Sequence, residues 1–249
     1  MAPMPNHRFP RAGLADKDGT MTYDLLIGDR SYSSWSLRGW LLFAAFDLPV
    51  RVRLAEMYDD GFRAAVDAFS PGARTVPAAK GPGGIVWSDS LAIAEGLAEA
   101  RPEAGHWPEA PAARAMARSL ACEMHSGFAA LRGDCPMNLR TAWTGFAPSE
   151  AVRADLARLE TLWARARTLA TEGLWLFGPY GAVDAFFAPV AMRIAGYGLA
   201  VGEAAQAYVQ AHLDHAPLRA WRAEGEARDR TLDVYDMGLP TAPFPINAS

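Results

Sequence analysis

Eleven residues, RPEAGHWPEAP at 101–111, separate two stretches of chain with different hydrophobic periods. Before them, short apolar runs alternate with amphipathic segments. YDLLIG (23–28) reads as a buried strand. In 34–46, Leu37, Trp40, Leu41 and Ala44 recur at i, i+3, i+4 and i+7, the spacing of one helix face. DLPVRVRLA (47–55) opens with turn residues and then alternates as a half-buried strand does. Residues 60–69 predict a short helix ending before SPG at 70–72. An extended piece around Val76, a turn at KGPGG (80–84), a strand at 85–87 and a helix from Ser88 to Ala100 complete the series.

The order is therefore β-α-β-α-β-β-α. A βαβ start implies a parallel pair with a right-handed crossover. The last two strands, joined by a tight Gly/Pro turn, should pair antiparallel. After the Pro-rich linker the sequence predicts only helices: 111–132, 148–171, 184–199, 203–213 and 216–226. The tail LPTAPFPINAS reads as irregular. The expected organisation is a flexible extension (1–21), a small α/β domain (22–103) and an all-helical domain with an irregular tail (104–249).

Composition limits the function classes. Of 249 residues 51% are hydrophobic and 21% charged, enough apolar matter for a sizeable core. A net charge of −4 and the lack of a Lys/Arg stripe argue against a nucleic-acid binder. Cys122 and Cys135 have no metal-ligand spacing and read as two reduced thiols. Five scattered histidines suggest no metal site. The first twenty residues lack the apolar segment of a secretory signal, and no apolar run reaches the ~20 residues of a membrane span. A soluble cytoplasmic protein is expected.

Three short stretches carry the candidate chemistry. RSYSSWSLRG (30–39) crowds hydroxyls where the first strand hands over to the first helix. A helix start leaves backbone N–H groups unpaired and holds about half a positive charge, so it suits an anion. Ser33 or Ser34 could equally be a plain N-cap. TVPA (75–78) places a proline at a strand edge, and a cis Val76–Pro77 bond would turn the Val76 N–H and C=O outward, toward a peptide-like ligand. SDS (88–90) opens a helix, and Asp89 and Ser90 could pair a ligand amine and carboxylate, or simply cap.

Together these stretches resemble the glutathione transferase superfamily. SYSSWSLRGWLL is similar to the serine motif S-x-x-S-W-x-x-R of a zeta-like, serine-type bacterial class. TVPA sits where that family keeps a cis-proline. WSDSLAIAEGLAE resembles its glutathione motif, with Gly96 in place of the usual tyrosine. GPYGAVDAFFAPV (178–190) is similar to the segment that starts the core helix of its second domain. Gly181 there replaces the capping Ser or Thr, and Asp184 keeps the acid of the box. The resemblance implies a thioredoxin-like N-terminal domain followed by an all-helical one. It implies glutathione as co-substrate, a small electrophilic second substrate, a detoxification role and a homodimer.

Carried over residue by residue, the thiol-activating hydroxyl falls on Ser31, Ser33 or Ser34, with Ser33 favoured. Tyr32 is a further possible donor, and Trp35 joins the glutathione site. Arg74 (or Thr75), Val76, Pro77, Asp89 and Ser90 would hold the rest of the tripeptide. The motif's usual cysteine is absent, which argues against a maleylacetoacetate isomerase and against thiol-dependent reductases. For the electrophile, EMHSGFAALR (123–132) places His125, Phe128 and Arg132 on one helix face. Together with PMNLR (136–140), where Met137, Asn138 and Arg140 lie, it suits a substrate with an apolar body and a negative group. The alternative is a non-catalytic binding or scaffolding module of the same fold.

Overall fold

The computed structural model describes residues 22–228 and 230–245; the expected N-terminal extension lies outside them. β1 (Tyr23–Ile27), α1 (Ser34–Ala44), β2 (Val50–Leu54), α2 (Phe62–Phe69), β3 (Ala78–Lys80), β4 (Val86–Trp87) and α3 (Ser90–Ala100) follow one another in the expected order. They build one sheet in the order β2-β1-β3-β4. β1 and β2 run parallel, while β3 is antiparallel to both β1 and β4. β1 is almost wholly buried, as the strand YDLLI requires. β2 alternates because it is the edge, with Arg51 and Arg53 turned out to Asp24.

The helices α4 (Pro111–Ser126), α5 (Ala129–Asp134), α6 (Glu150–Arg167), α7 (Ala182–Tyr197), α8 (Glu203–Asp214) and α9 (Ala216–Glu226) follow. Every residue of α7 is buried. A helix apolar all round belongs at a centre, and α7 packs against α1, α4 and α8. Its start is fixed by Asp184, whose carboxylate accepts from Gly181 N–H at 2.8 Å, Leu176 N–H at 3.2 Å and the Tyr208 hydroxyl at 2.7 Å. Burial raises the Asp184 carboxyl to about 6 in spite of those donors. No helix among the described residues is long and apolar enough to cross a membrane.

Two readings of the helical part are corrected. The expected helix 111–132 is two helices. Gly127 closes α4, and Phe128 takes a left-handed backbone (φ 57°) before α5 begins. The tail is not wholly irregular, because β6 (Thr241–Pro243) pairs antiparallel with β5 (Thr141–Trp143).

The two parts share one continuous apolar core. The loop between β1 and α1 is tied to the helices by Trp221 Nε1, which donates to Arg30 C=O at 2.8 Å, and by Leu139 N–H, which donates to Ser31 C=O at 3.0 Å. Gly96 is explained by its neighbour. A Cβ there would meet the Trp87 indole at 2.2 Å, so the ring fills the room that a larger side chain would need.

Candidate active site

The loop 28–33 delivers the hydroxyls. Asp29 folds it by accepting Ser31 N–H on its carboxylate at 2.9 Å and Ser33 N–H on its carbonyl at 2.8 Å. Ser33 is then the N-cap of α1, and its Oγ accepts Ser36 N–H at 3.3 Å. The Ser33 and Ser36 hydroxyl oxygens lie 2.7 Å apart, and Ser36 Oγ also accepts Gly28 N–H at 2.9 Å. A hydroxyl offers one proton and two lone pairs. Here Ser33 donates its proton to Ser36 while accepting the Ser36 N–H; a bound anion would take that proton over as Ser36 turns round to donate to Ser33. Capping and donation to a bound anion are compatible in one residue once the hydroxyl pair reverses.

Two clefts meet at Trp35. The smaller, about 310 Å³, is lined by Trp35, Thr75, Val76, Pro77, Ser88 and Asp89. The Val76–Pro77 bond is cis. Asp89 caps α3 by accepting Leu91 N–H at 2.7 Å. Next to it the Ser90 hydroxyl is buried with no partner among the described residues. An orphan of that kind costs about 1–3 kcal/mol, which a polar ligand at this helix start would relieve.

The larger cleft, about 620 Å³, lies between the β1–α1 loop and the helices. Tyr32, Ser33, Ser34 and Trp35 form one wall. Arg132, Gly133, Pro136, Met137 and Arg193 form the other, and Met57, Tyr58, Val234 and Tyr235 close its rim. Arg228 and residues 230–235 are held across that rim. Arg228 and Arg230 both pair with Glu56 at 2.5 Å, and the Tyr235 ring packs 4.7 Å from Tyr32. Other hollows on the helical part, of about 760 and 750 Å³, are lined from α6 to α9 and contain none of these hydroxyls.

Not every expected residue comes to these clefts. Ser33 and Ser34 line the larger one, whereas Ser31 is buried behind it, where a Cβ on Gly225 would come 3.0 Å from the Ser31 Oγ. Thr75 lines the smaller cleft; Arg74 is exposed and lines neither. His125 and Phe128 are corrected with the helix break. The His125 ring is edge-on to Trp35 at 5.0 Å, with Nε2 3.5 Å from the Asp89 carboxylate, and it lines neither cleft. Phe128 turns into the core. Arg132 does face the larger cleft. Asn138 Oδ1 accepts the N–H of Arg140 and of Thr141, and the Arg140 guanidinium is spent on carbonyls of 225, 226 and 228. Burial pushes the Cys135 thiol up to about 12, which leaves it protonated and unreactive.

The sequence reading missed Ser36, Arg193 and Tyr235. Ser36 carried a signal, since it stands three residues after a capping serine.

Residues 32–100 match the family model described as glutathione S-transferase, N-terminal domain. Comparison with curated proteins found no match. Among solved structures, the chain is similar to a glutathione transferase homolog from Burkholderia gl BGR1 with bound glutathione (TM-score 0.61, 20% identity, covering 84% of this chain and 100% of that one). It is also similar to a glutathione transferase from Methylococcus capsulatus (0.59, 17%, 83% and 100%) and to Ure2p in complex with S-hexylglutathione (0.60, 16%, 86% and 100%). The chain thus has a thioredoxin-like N-terminal unit followed by a helical unit, the fold of these glutathione transferases.

Proposed function

We propose that the protein is a glutathione transferase in which Ser33 holds the glutathione thiolate at the start of α1. The observation that carries this reading is the Ser33 hydroxyl itself. It lines the cleft at a helix N-terminus, and the proton it gives to Ser36 can pass to a bound sulfur by reversal of that hydroxyl pair, with the cap kept. Glutathione's thiol should ionise near the ordinary cysteine value, about 8.5. Lowering it by two units needs about 2.7 kcal/mol. A charge-assisted hydrogen bond of about 1.5–3 kcal/mol and a helix dipole of about 0.3–1 kcal/mol supply it. The thiol proton leaves to solvent, and no general base is required. Sulfur then forms a bond to an electrophilic carbon in the larger cleft, and a leaving group departs with its electron pair. The tripeptide lies along Val76, Pro77, Asp89 and Ser90. Ser34, half-buried on the same wall, is the second candidate donor.

A binding module is the competing reading, favoured by the use of Ser33 as a helix cap. Turnover separates the two. Wild type and Ser33→Ala are assayed for glutathione affinity by calorimetry and for conjugation of 1-chloro-2,4-dinitrobenzene. The transferase reading expects kcat/KM to fall about 10–100-fold in Ser33→Ala, the loss of one charge-assisted hydrogen bond, with affinity little changed. Glutathione binding without turnover in wild type identifies a binding module.

A further inference from the structure

Three arginines gather around Trp35 without a carboxylate among them. Arg38 is 1% exposed, and its Nε and Nη1 have no hydrogen-bond partner among the described residues. Its guanidinium stands 4.6 Å from the Trp35 ring centre and 5.4 Å from that of Phe186. Arg193, 4% exposed, donates Nε to Cys135 C=O at 2.8 Å and Nη1 to Pro189 C=O at 3.2 Å. Arg132 stands 4.9 Å from the Trp35 ring and donates to the carbonyls of His125 and Gly127. Arg38 faces rings, Arg193 bonds carbonyls and Arg132 does both, and none of the three has an ion pair among the described residues. Burial, and then their mutual repulsion, hold Arg38 down to about 9 and Arg193 to about 10.

Buried charge is normally paired, because an uncompensated one is strongly destabilising. The acid that acts on Arg38 is Asp89, which belongs to the smaller cleft. Arg132 and Arg193 instead line the larger cleft, across from Ser33 and Ser34 and beside the apolar surfaces of Met57, Pro136 and Met137. Trp35 walls both clefts.

We propose that Arg132 and Arg193, with Arg38 behind Trp35, form an anion subsite that takes a carboxylate on the electrophile, so that the second substrate is an acidic electrophile with an apolar body. The proposal rests on the transferase reading for the word substrate; the subsite itself does not. It is assigned to the electrophile because Arg132 and Arg193 come from the helical part and line the larger cleft, whereas Val76, Pro77 and Asp89 line the smaller one. The same carboxylate chemistry could come from glutathione, and the experiment separates the two sources.

Binding of 3,5-dinitrobenzoate, which has no leaving group, is compared with that of its uncharged methyl ester, with and without saturating glutathione. Tryptophan fluorescence and calorimetry give the affinities. Turnover is read with 4-chloro-3,5-dinitrobenzoate and its methyl ester. In that reaction the thiolate sulfur bonds to the chlorine-bearing carbon, and the C–Cl bond breaks with its pair going to chloride. Wild type should bind the carboxylate about tenfold or more tighter than the ester, the scale of one charge-assisted hydrogen bond. That preference should shrink to less than about threefold in Arg132→Gln and in Arg193→Met. Arg132 is partly exposed, so Arg132→Gln tests the proposal even if Arg193→Met does not fold. No preference for the carboxylate in wild type overturns the subsite. Displacement of the carboxylate by glutathione assigns the arginines to the tripeptide and overturns the proposal as stated. Preference for the carboxylate without any turnover supports the subsite while removing the transferase reading.

Discussion

Ser33 and Ser36 hold their hydroxyl oxygens 2.7 Å apart across the first turn of α1, and Ser36 in turn accepts the N–H of Gly28 at the end of β1. One hydroxyl chain thus joins strand, loop and helix. Ser36→Ala leaves the buried Gly28 N–H without an acceptor, which should cost about 1–3 kcal/mol in urea denaturation. It should lower kcat/KM less than Ser33→Ala does, because Ser36 only orients Ser33. An equal or larger loss in Ser36→Ala would make Ser36 the donor.

Gly39→Ala tests the packing of α1 on Pro77. Helix propensity alone favours alanine by about 1 kcal/mol. Yet a Cβ at Gly39 would stand 2.7 Å from Pro77 Cγ and 2.8 Å from its Cβ, against a ring that cannot swing away. The clash should win, with a net loss of about 1–3 kcal/mol in the urea midpoint and weaker glutathione binding. A gain in stability would show that α1 and Pro77 are not in close contact.

Asp89→Asn separates capping from charge. Asparagine caps a helix about as well as aspartate, so the denaturation midpoint should barely move. Calorimetry should show glutathione binding weakened about 10–100-fold, the loss of one charge-assisted contact to the ligand amine. Unchanged affinity would leave Asp89 as a cap alone.

His212 gives the fold a pH dependence with a defined sign. It is fully buried on α8 with neither ring nitrogen bonded among the described residues, and burial first, then His215, push it down to about 3. The unfolded chain takes up that proton near 6.5, the folded chain only near 3. Stability from a neutral His212 is therefore present above about 6.5 and is lost as pH falls toward 3. At pH 5 the loss should reach about 2 kcal/mol. His212→Leu should remove that part of the slope, read as the difference between wild-type and variant urea stabilities at pH 5 and 7.5. Parallel pH profiles would contradict it.

Much of this was legible in sequence where local pattern and tertiary role agree. Leu37 and Leu41 predict the buried face of α1, and both are fully buried. YDLLI reads as a central strand because both its faces are covered. The break at Gly127–Phe128 was not legible, because residues on both sides keep helical composition and a left-handed phenylalanine leaves no mark in the pattern. β5 and β6 were missed because three-residue strands paired across about a hundred residues are decided by tertiary contact. In the site, the serines and Asp89 stand in local motifs. Arg193 sits inside an apolar helix, and Tyr235 in a tail with no periodicity, so only the fold brings them to the cleft. Arg38 stood in the quoted motif, but its burial without a partner is a property of packing.

The central claim is that Ser33 stabilises a thiolate. Reduced glutathione is bound to wild type and to Ser33→Ala, and thiolate absorbance near 240 nm is followed against pH. The account predicts that the wild-type complex ionises at least about one unit below free glutathione, equivalent to about 1.4 kcal/mol, and that Ser33→Ala returns it toward the free value. Glutathione bound to wild type with its ionisation unmoved would contradict the account and leave Ser33 as the cap of a helix.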